Sequence, residues 1–143
     1  MQKMCLLILV SALFAGSALA QCNMASLHGT YGYVGFGTVA ANPSGLPTGN
    51  WSSVGILNFN GRGGLVITDT ARVEGLTLWS DRDFPSTYTV DHNCVATFTI
   101  TEFAAAGIPG PHFKVVIVDN RAKIVGISLL PGVTVNFVST TRI

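Results

Sequence analysis

The stretch SSVGILNFNGRGGLVITDT, residues 52–70, decides the fold class. Two runs rich in branched and aromatic side chains, 52–60 and 64–70, flank the glycine-containing tripeptide GRG at 61–63. Runs of this composition separated by a few residues with glycine are typical of a β-hairpin. The sequence therefore predicts two antiparallel strands here.

Similar strand-like runs continue along the chain. The others are 28–40, 73–80, 86–90, 94–101, 112–118, 122–129 and 133–141. Two further pairs are separated by turn-forming tripeptides, DHN at 91–93 and DNR at 119–121, which predict two more hairpins. Residues 81–85 (DRDFP) are predicted as a turn. Residues 103–111 (FAAAGIPGP) are predicted as a loop, because their glycines and prolines prevent a helix from extending.

Eight or nine strands joined mostly by short turns predict an all-β antiparallel meander. No helix is expected to cover an apolar face, so the sheet needs either closure or a second layer. We expect closure into an eight-stranded up-and-down β-barrel, whose interior admits packed side chains or one small ligand. A two-sheet sandwich is the alternative, but its crossovers need longer connections than most of those seen here.

The first twenty residues, MQKMCLLILVSALFAGSALA, have the pattern of a secretory signal peptide. Lys3 supplies the charged start, an apolar run follows, and Ala18-Leu19-Ala20 fits the cleavage site. The predicted organisation is a signal peptide at 1–20 and one secreted domain at 21–143, either extracellular or periplasmic. A lipoprotein signal ending at Cys22 is the alternative, although Gln21 is larger than the residue that normally precedes a lipidated cysteine.

Cleavage after residue 20 would remove Cys5 and leave only Cys22 and Cys94. Two cysteines in an oxidising compartment predict a disulfide bond between them. The sequence contains no CxxC motif and no Cys/His cluster, so no metal site is expected.

The charge balance excludes several partners. The full chain has eight basic and seven acidic residues, and loss of Lys3 with the signal peptide leaves seven of each. The signs are interspersed, so neither nucleic acid nor stable membrane insertion is expected. The segment GRGG at 61–64 lacks the lysine of a phosphate loop, and no cofactor is predicted.

Four sequence segments resemble those of a known family: LHGTYG at 27–32, VGILNFNGRG at 54–63, STYTV at 86–90 followed by Cys94, and HFKVVIVD at 112–119. With them the chain resembles small secreted microbial domains placed with the allene oxide cyclase barrel-like proteins. The resemblance implies an eight-stranded antiparallel barrel, and some members of that superfamily cyclise hydrophobic substrates inside the cavity. No catalytic motif of the plant enzymes matches this chain residue by residue.

Five aromatic side chains are candidates to line such a cavity or to fill it as core: Tyr31, Tyr33, Tyr88, Trp79 and Phe98. His112 is expected at a barrel mouth, on the face that alternation shares with Lys114, Val116 and Val118. The ligand-binding prediction therefore comprises His112, the three tyrosines and Trp79.

Strand-end carboxylates provide the candidates for acid–base chemistry. Glu102 and Asp119 occupy such positions, with Arg72 and Arg121 as possible partners. No Ser/His/Asp order can be assembled, and His28 and His92 have no metal-binding spacing.

The leading functional hypothesis is a cofactor-free barrel that binds a small, largely apolar molecule, either uncharged or weakly acidic. A cyclase or isomerase using the same cavity is the second hypothesis, and a structural or protein-interaction domain with a solid core is the third. The sequence decides neither whether the protein is an enzyme nor its oligomeric state. The triplet Asn50-Trp51-Ser52 fits an N-glycosylation acceptor, which applies only in a eukaryotic source.

Overall fold

A computed structural model of the chain describes residues 21–40 and 45–142, without the side chains of 140–142, and shows one closed barrel of eight antiparallel strands. The strands are β1 (His28–Val39), β2 (Gly49–Asn60), β3 (Gly64–Val73), β4 (Leu76–Val90), β5 (Val95–Ile100), β6 (Phe113–Val118), β7 (Lys123–Ser128) and β8 (Val133–Arg142). Each strand pairs with its neighbours in chain order, and β8 pairs back onto β1. The predicted up-and-down barrel is confirmed, and the sandwich alternative is wrong. The predicted signal peptide at 1–20 lies outside the described residues.

The three predicted hairpin turns are confirmed. At the first, the side-chain oxygen of Asn60 accepts the backbone N–H groups of Arg62 and Gly64 at 2.8 and 2.9 Å. At the second, Asp91 accepts the N–H groups of Asn93 and Val95 in the same way, at 2.8 and 2.9 Å. Short Asn and Asp side chains stabilise turns by these local bonds, which explains why they occupy the first position of both turns.

The turn predicted at residues 81–85 is wrong, because these residues continue β4. Asp81 has a φ of 49° and donates its backbone N–H to the Thr70 hydroxyl oxygen at 2.9 Å. This conformation forms a β-bulge, which adds a residue to one strand without ending it. Residues 76–80, the expected turn and the strand expected at 86–90 therefore form the single strand β4. The start predicted for the weak strand at 73–80 is wrong as well, because Val73 ends β3 and residues 74–75 form the turn between β3 and β4.

The loop expected at residues 103–111 contains a short helix, α1 (Thr101–Ala105). Gly107, with a φ of 82°, follows the end of the helix, and the remainder is the expected loop. An exposed ion pair between Arg82 of β4 and Glu102, at 2.8 Å, fastens the helix to the barrel wall. No helix within residues 21–40 and 45–142 has the length and apolar character needed to cross a membrane.

One end of the barrel is closed by the segment that precedes β1. A short 3-10 turn, Met24–Ser26, lies over this end, where the Tyr88 hydroxyl donates to the carbonyl oxygens of Met24 and Leu27, both at 2.9 Å. Cys22 and Cys94 form the predicted disulfide bond in the same region. We call this the sealed end. The open end is the opposite one, where β2 begins and β1 finishes.

The outer surface of the barrel is also rich in branched side chains. Val34 of β1 pairs across the strands with Val54 on one side and Val138 on the other, and Val138 pairs with Val125. The side chains of Val34 and Val54 are exposed. Hydrophobicity in these strands therefore does not by itself identify the inward face.

Removing the disulfide should lower stability substantially. Because the bond closes a loop of 72 residues, the double variant Cys22→Ala/Cys94→Ala is expected to lose about 4 kcal/mol of unfolding free energy on loop-entropy grounds. Urea denaturation of the oxidised protein and the double variant measures the difference. An unchanged midpoint and slope would contradict the structural role of the bond.

Candidate functional site

The barrel interior holds a cavity of about 70 Å³ on the side of the open end. Its wall consists mainly of aromatic and aliphatic side chains, with the charged residue Asp69 among them. A deeper void of about 30 Å³ shares Tyr33, Ile67, Phe113 and Phe137 with it. Toward the sealed end the interior is filled by packed rings, such as the edge-to-face pair Phe59 and Tyr88 at 5.1 Å. The free space therefore lies in one half of the barrel.

A buried carboxyl group is the main polar feature of the cavity. Asp69 of β3 is only 6% exposed. Its Oδ1 accepts the Tyr33 hydroxyl at 2.6 Å, and its Oδ2 accepts the Trp79 indole N–H at 2.9 Å. The backbone N–H of Thr70 provides a further hydrogen bond. We call Tyr33, Asp69 and Trp79 the acid cluster.

Gly55 of β2 makes the contact between Tyr33 and Asp69 possible. In the strand register Gly55 lies between them, paired with Tyr33 on one side and with Asp69 on the other. A Cβ atom at Gly55 would collide with the Tyr33 ring and with the carbonyl oxygen of Thr68. The glycine therefore leaves the space through which the tyrosine reaches across a whole strand to the carboxyl group.

The bulge at Asp81 brings Trp79 into the cluster. Between the pairs Asp69–Arg82 and Ala71–Trp79, β3 advances by two residues while β4 advances by three. Without the extra residue Trp79 would face the opposite side of the sheet from Phe84, because side chains alternate along a strand. With the bulge, both rings point inward and their centroids are 5.2 Å apart.

Burial raises the pKa of the Asp69 carboxyl above its usual value of 3.8. The hydrogen bonds from Tyr33, Trp79 and Thr70 act in the opposite direction, because they stabilise the charged form. Burial, together with the neighbouring Asp69 charge, also raises the pKa of the Tyr33 hydroxyl well above its usual value of 10.0. Tyr33 therefore acts as a neutral hydrogen-bond donor.

This arrangement places a titratable group in an apolar enclosure. A buried carboxyl group whose pKa is raised keeps its proton to a higher pH than a free aspartic acid does. In the part of the chain that the structure describes, the cavity wall includes no lysine or arginine. No group of three or more His, Cys, Asp and Glu side chains among these residues is placed to hold a metal ion.

The structure divides the aromatic side chains predicted for the ligand site. Tyr33 and Trp79 line the cavity. Tyr31 and Tyr88 lie in the packed core at the sealed end, where the Tyr31 hydroxyl donates to the carbonyl oxygen of Arg121 at 2.9 Å. Phe98 borders only the deeper void. Two of the candidate side chains are thus brought together, and the others serve the core.

His112 is fully buried and lies outside the residues that line the cavity. Its Nδ1 accepts the backbone N–H of Ile100 at 2.9 Å, so the neutral ring carries its proton on Nε2, which donates to the carbonyl oxygen of Ile108 at 3.1 Å. His112 was expected to share a face with Lys114 and Val116, but these two side chains point outward while His112 is buried. His112 instead joins β5 to the loop after α1.

The carboxylates proposed from the sequence are not in the cavity wall. Glu102 makes the exposed ion pair with Arg82, and Asp119 lies in the turn at the sealed end. Sequence reasoning missed Asp69, although a signal was present. Asp69 shares the inward-facing alternation with Leu65 and Ile67, and a charged residue at an inward position is unusual.

Asp69→Asn should remove a pH dependence of stability. Because the folded state raises the pKa of Asp69, the folded protein binds the proton more tightly than the unfolded chain does. The contribution of Asp69 to stability therefore falls as pH rises from about 3.8 through the raised value, by up to about 1.4 kcal/mol per pH unit. The unfolding free energy of the wild type minus that of Asp69→Asn, measured from pH 3 to pH 8, should decrease across this window. A difference that stays constant or increases with pH would contradict the assignment.

His112→Ala should lower stability by about 3 kcal/mol, because it leaves the Ile100 N–H and the Ile108 carbonyl without their partner and opens a gap beside Phe103. The substitution should leave binding in the cavity unchanged below the melting temperature. Denaturation and ligand titration of the same variant separate the two effects. Loss of binding in a folded His112→Ala protein would instead show that the cavity depends on His112, directly or through its neighbours Ile100 and Phe103 in the wall.

The chain matches no protein-family model, no curated protein and no solved structure. The functional argument therefore rests on the cavity and the acid cluster.

Proposed function

We propose that the protein binds a small, largely apolar molecule in the cavity at the open end of its barrel. The observation that carries the proposal is the enclosed space of about 70 Å³, walled by aromatic and aliphatic side chains around a single buried acid. Apolar walls with a few converging polar groups are the usual form of a small-molecule site. A role as a structural domain with a solid core is less well supported, because free space remains between the two packed clusters at the ends of the barrel.

The size of the cavity limits the occupant. It is smaller than the apolar cavity of about 150 Å³ that accommodates benzene in another protein. The occupant is therefore either a very small molecule or one that inserts a single end while the rest lies between the side chains of the open end. Leu46, Trp51 and Leu130 are the wall residues nearest that opening by their position in the chain.

We also propose that the protein is secreted and related to the allene oxide cyclase barrel-like proteins. The disulfide bond supports an oxidising compartment, because such bonds are rare in the cytosol. A closed eight-stranded antiparallel barrel is the fold that this relationship implies. Secretion agrees with the signal-peptide pattern of residues 1–20, and the relationship agrees with the four sequence segments that resemble the family.

A second candidate function, a cofactor-free isomerase or cyclase, is favoured by Asp69. A buried carboxyl group beside a bound molecule can donate its proton to an oxygen and recover one from a carbon, so the rearrangement needs no net donor or acceptor. Tyr33 and Trp79 would fix the carboxyl group in place during both transfers. In this function Asp69 would be the catalytic residue.

Binding is tested by thermal shift with a panel of small lipophilic probes no larger than cyclopentanone, which is itself included. A probe at ten times its dissociation constant should add about 1.4 kcal/mol to stability. Val135→Phe, which places a ring in the cavity wall, should abolish the shift. Val138→Phe on the outer side of the same strand is the matched control and should preserve it. Equal shifts in both variants, or no shift with any probe in the wild type, would contradict binding in the cavity.

The same samples distinguish a carrier from an isomerase. Exchange of the cyclopentanone α-protons in deuterium oxide, followed by NMR, should be accelerated by the wild type and not by Asp69→Asn if the acid cluster transfers protons. Binding without accelerated exchange would favour a carrier over an isomerase.

A further inference from the structure

A serine hydroxyl in the cavity wall has no hydrogen-bond partner. Ser53 of β2 is a half-buried wall residue, and its Oγ makes no hydrogen bond within residues 21–40 and 45–142. Among the residues of this range that are not exposed, Trp51 carries the only unpaired side-chain nitrogen or oxygen that is fully enclosed. The unpaired Ser53 Oγ is therefore not fully enclosed, and an atom of a bound molecule can reach it.

The Ser53 hydroxyl points into the barrel. Gly35 of β1 pairs with Ser53 across the strands, and a Cβ atom at Gly35 would collide with the Ser53 Oγ. The same Cβ atom would lie 3.5 Å from a methyl carbon of Val135, a buried residue of the cavity wall. The Ser53 Oγ and the Val135 methyl group therefore lie on the same, inner side of Gly35. Because Gly35 has no side chain, the hydroxyl has space there.

The neighbours of Ser53 explain why its hydroxyl is unpaired. Its two cross-strand partners are Gly35 and Ala71, neither of which carries a polar side chain. Tyr33 and Asp69 lie diagonally from Ser53 on the inward face, a position about 7–8 Å away in a sheet. Their polar groups are already bonded to each other. The hydroxyl is thus left free beside the acid cluster.

The surroundings of this hydroxyl limit what can pair with it. A hydroxyl group both donates and accepts, so a neutral carbonyl or hydroxyl oxygen complements it. An anion is disfavoured, because the described wall contains no lysine or arginine and already holds the carboxyl group of Asp69. A cation would lose its hydration, while the Asp69 oxygens are already used by Tyr33 and Trp79. A neutral oxygen on an otherwise apolar molecule meets all of these conditions.

We propose that the Ser53 hydroxyl binds the oxygen of the ligand, so that the natural ligands of this cavity are small uncharged ketones or alcohols. The inference rests on the proposed binding function and specifies its ligand class. Apolar walls supply general affinity, whereas a site built to hydrogen-bond one group discriminates against analogues that lack it. Ser53 is therefore the specificity-determining residue of the cavity.

The test compares four small molecules of nearly identical shape. Cyclobutanone and cyclobutanol carry the neutral oxygen. Methylenecyclobutane replaces the carbonyl oxygen with a CH₂ group, and cyclobutylammonium replaces the hydroxyl with a charged NH₃⁺ group. NMR titration measures the dissociation constant of each. Cyclobutanol should bind the wild type more tightly than cyclobutylammonium, because burying a charge without a free partner is costly.

Ser53→Ala removes the hydroxyl group and keeps the Cβ atom, so the shape of the wall changes little. Its affinities for cyclobutanone and cyclobutanol should fall about tenfold, because the ligand oxygen loses its buried partner. Its affinity for methylenecyclobutane should not fall. Ser52→Ala is the matched control, since Ser52 is exposed on the outer face of the same strand, and it should leave all four affinities unchanged.

Infrared spectroscopy provides a measurement that needs no variant. A carbonyl group that accepts a hydrogen bond absorbs at a lower frequency than the same group in a hydrocarbon solvent. The carbonyl band of cyclobutanone bound to the wild type should therefore lie below its frequency in hexane. In Ser53→Ala the band should return toward the hexane value.

The outcomes separate the inference from the function on which it rests. Four results would overturn the inference and leave binding in the cavity intact: equal losses of the ketone and the alkene in Ser53→Ala, no loss of either, tighter binding of the ammonium than of the alcohol, or an unshifted carbonyl band. Binding of none of the four molecules would overturn both. If Ser53→Ala does not fold, the wild type's preference between alcohol and ammonium and its carbonyl band decide the question.

Discussion

The pairing of β8 with β1 is the constraint on which the rest of the structure depends. This pairing removes both edges of the sheet and converts one of its faces into an interior. Once closed, the sheet has to bury every inward side chain among the others, without a helix layer to help. The interior that results is packed at the sealed end and retains free space at the other.

An acid survives in this interior because two local departures from regular strand structure provide its donors. Gly55 opens the path by which Tyr33 reaches Asp69 across β2, and the bulge at Asp81 turns Trp79 inward to the other carboxyl oxygen. Neither departure is a packing device in itself. Gly55 acts by letting Tyr33 approach Asp69, and Asp81 acts by turning Trp79 inward. The geometry of the acid cluster therefore depends on two residues that do not themselves line the cavity.

Local sequence patterns predicted the barrel well, because turns and strand runs are read from neighbouring residues. The short polar turn at 91–93 and the glycine-containing turn at 61–63 set the hairpins, and chain-order pairing followed from them. The segment 81–85 was misread because the composition of a turn and that of a bulge are alike. Only the contact with β3 shows that the strand continues.

The site was harder to predict, for a physical reason. Branched side chains occur on both faces of the barrel, as Val34 and Val54 show, so alternation did not single out the inner face at His112. The inward position of Asp69 was readable from its spacing to Ile67. Its partners were not, since Tyr33 lies 36 positions away and meets it only through the register of β2.

The two ends of the barrel differ in what holds them, and this difference bears on how a bound molecule would exchange. A covalent bond and the carbonyl contacts of Tyr88 hold one end, so a molecule bound in the cavity as proposed would enter and leave through the opposite end. Its residence time would then depend on how often Leu46, Leu130 and the ring of Phe103 move aside. Substitutions at those three side chains would change exchange rates without touching the disulfide bond and the Tyr88 contacts at the far end.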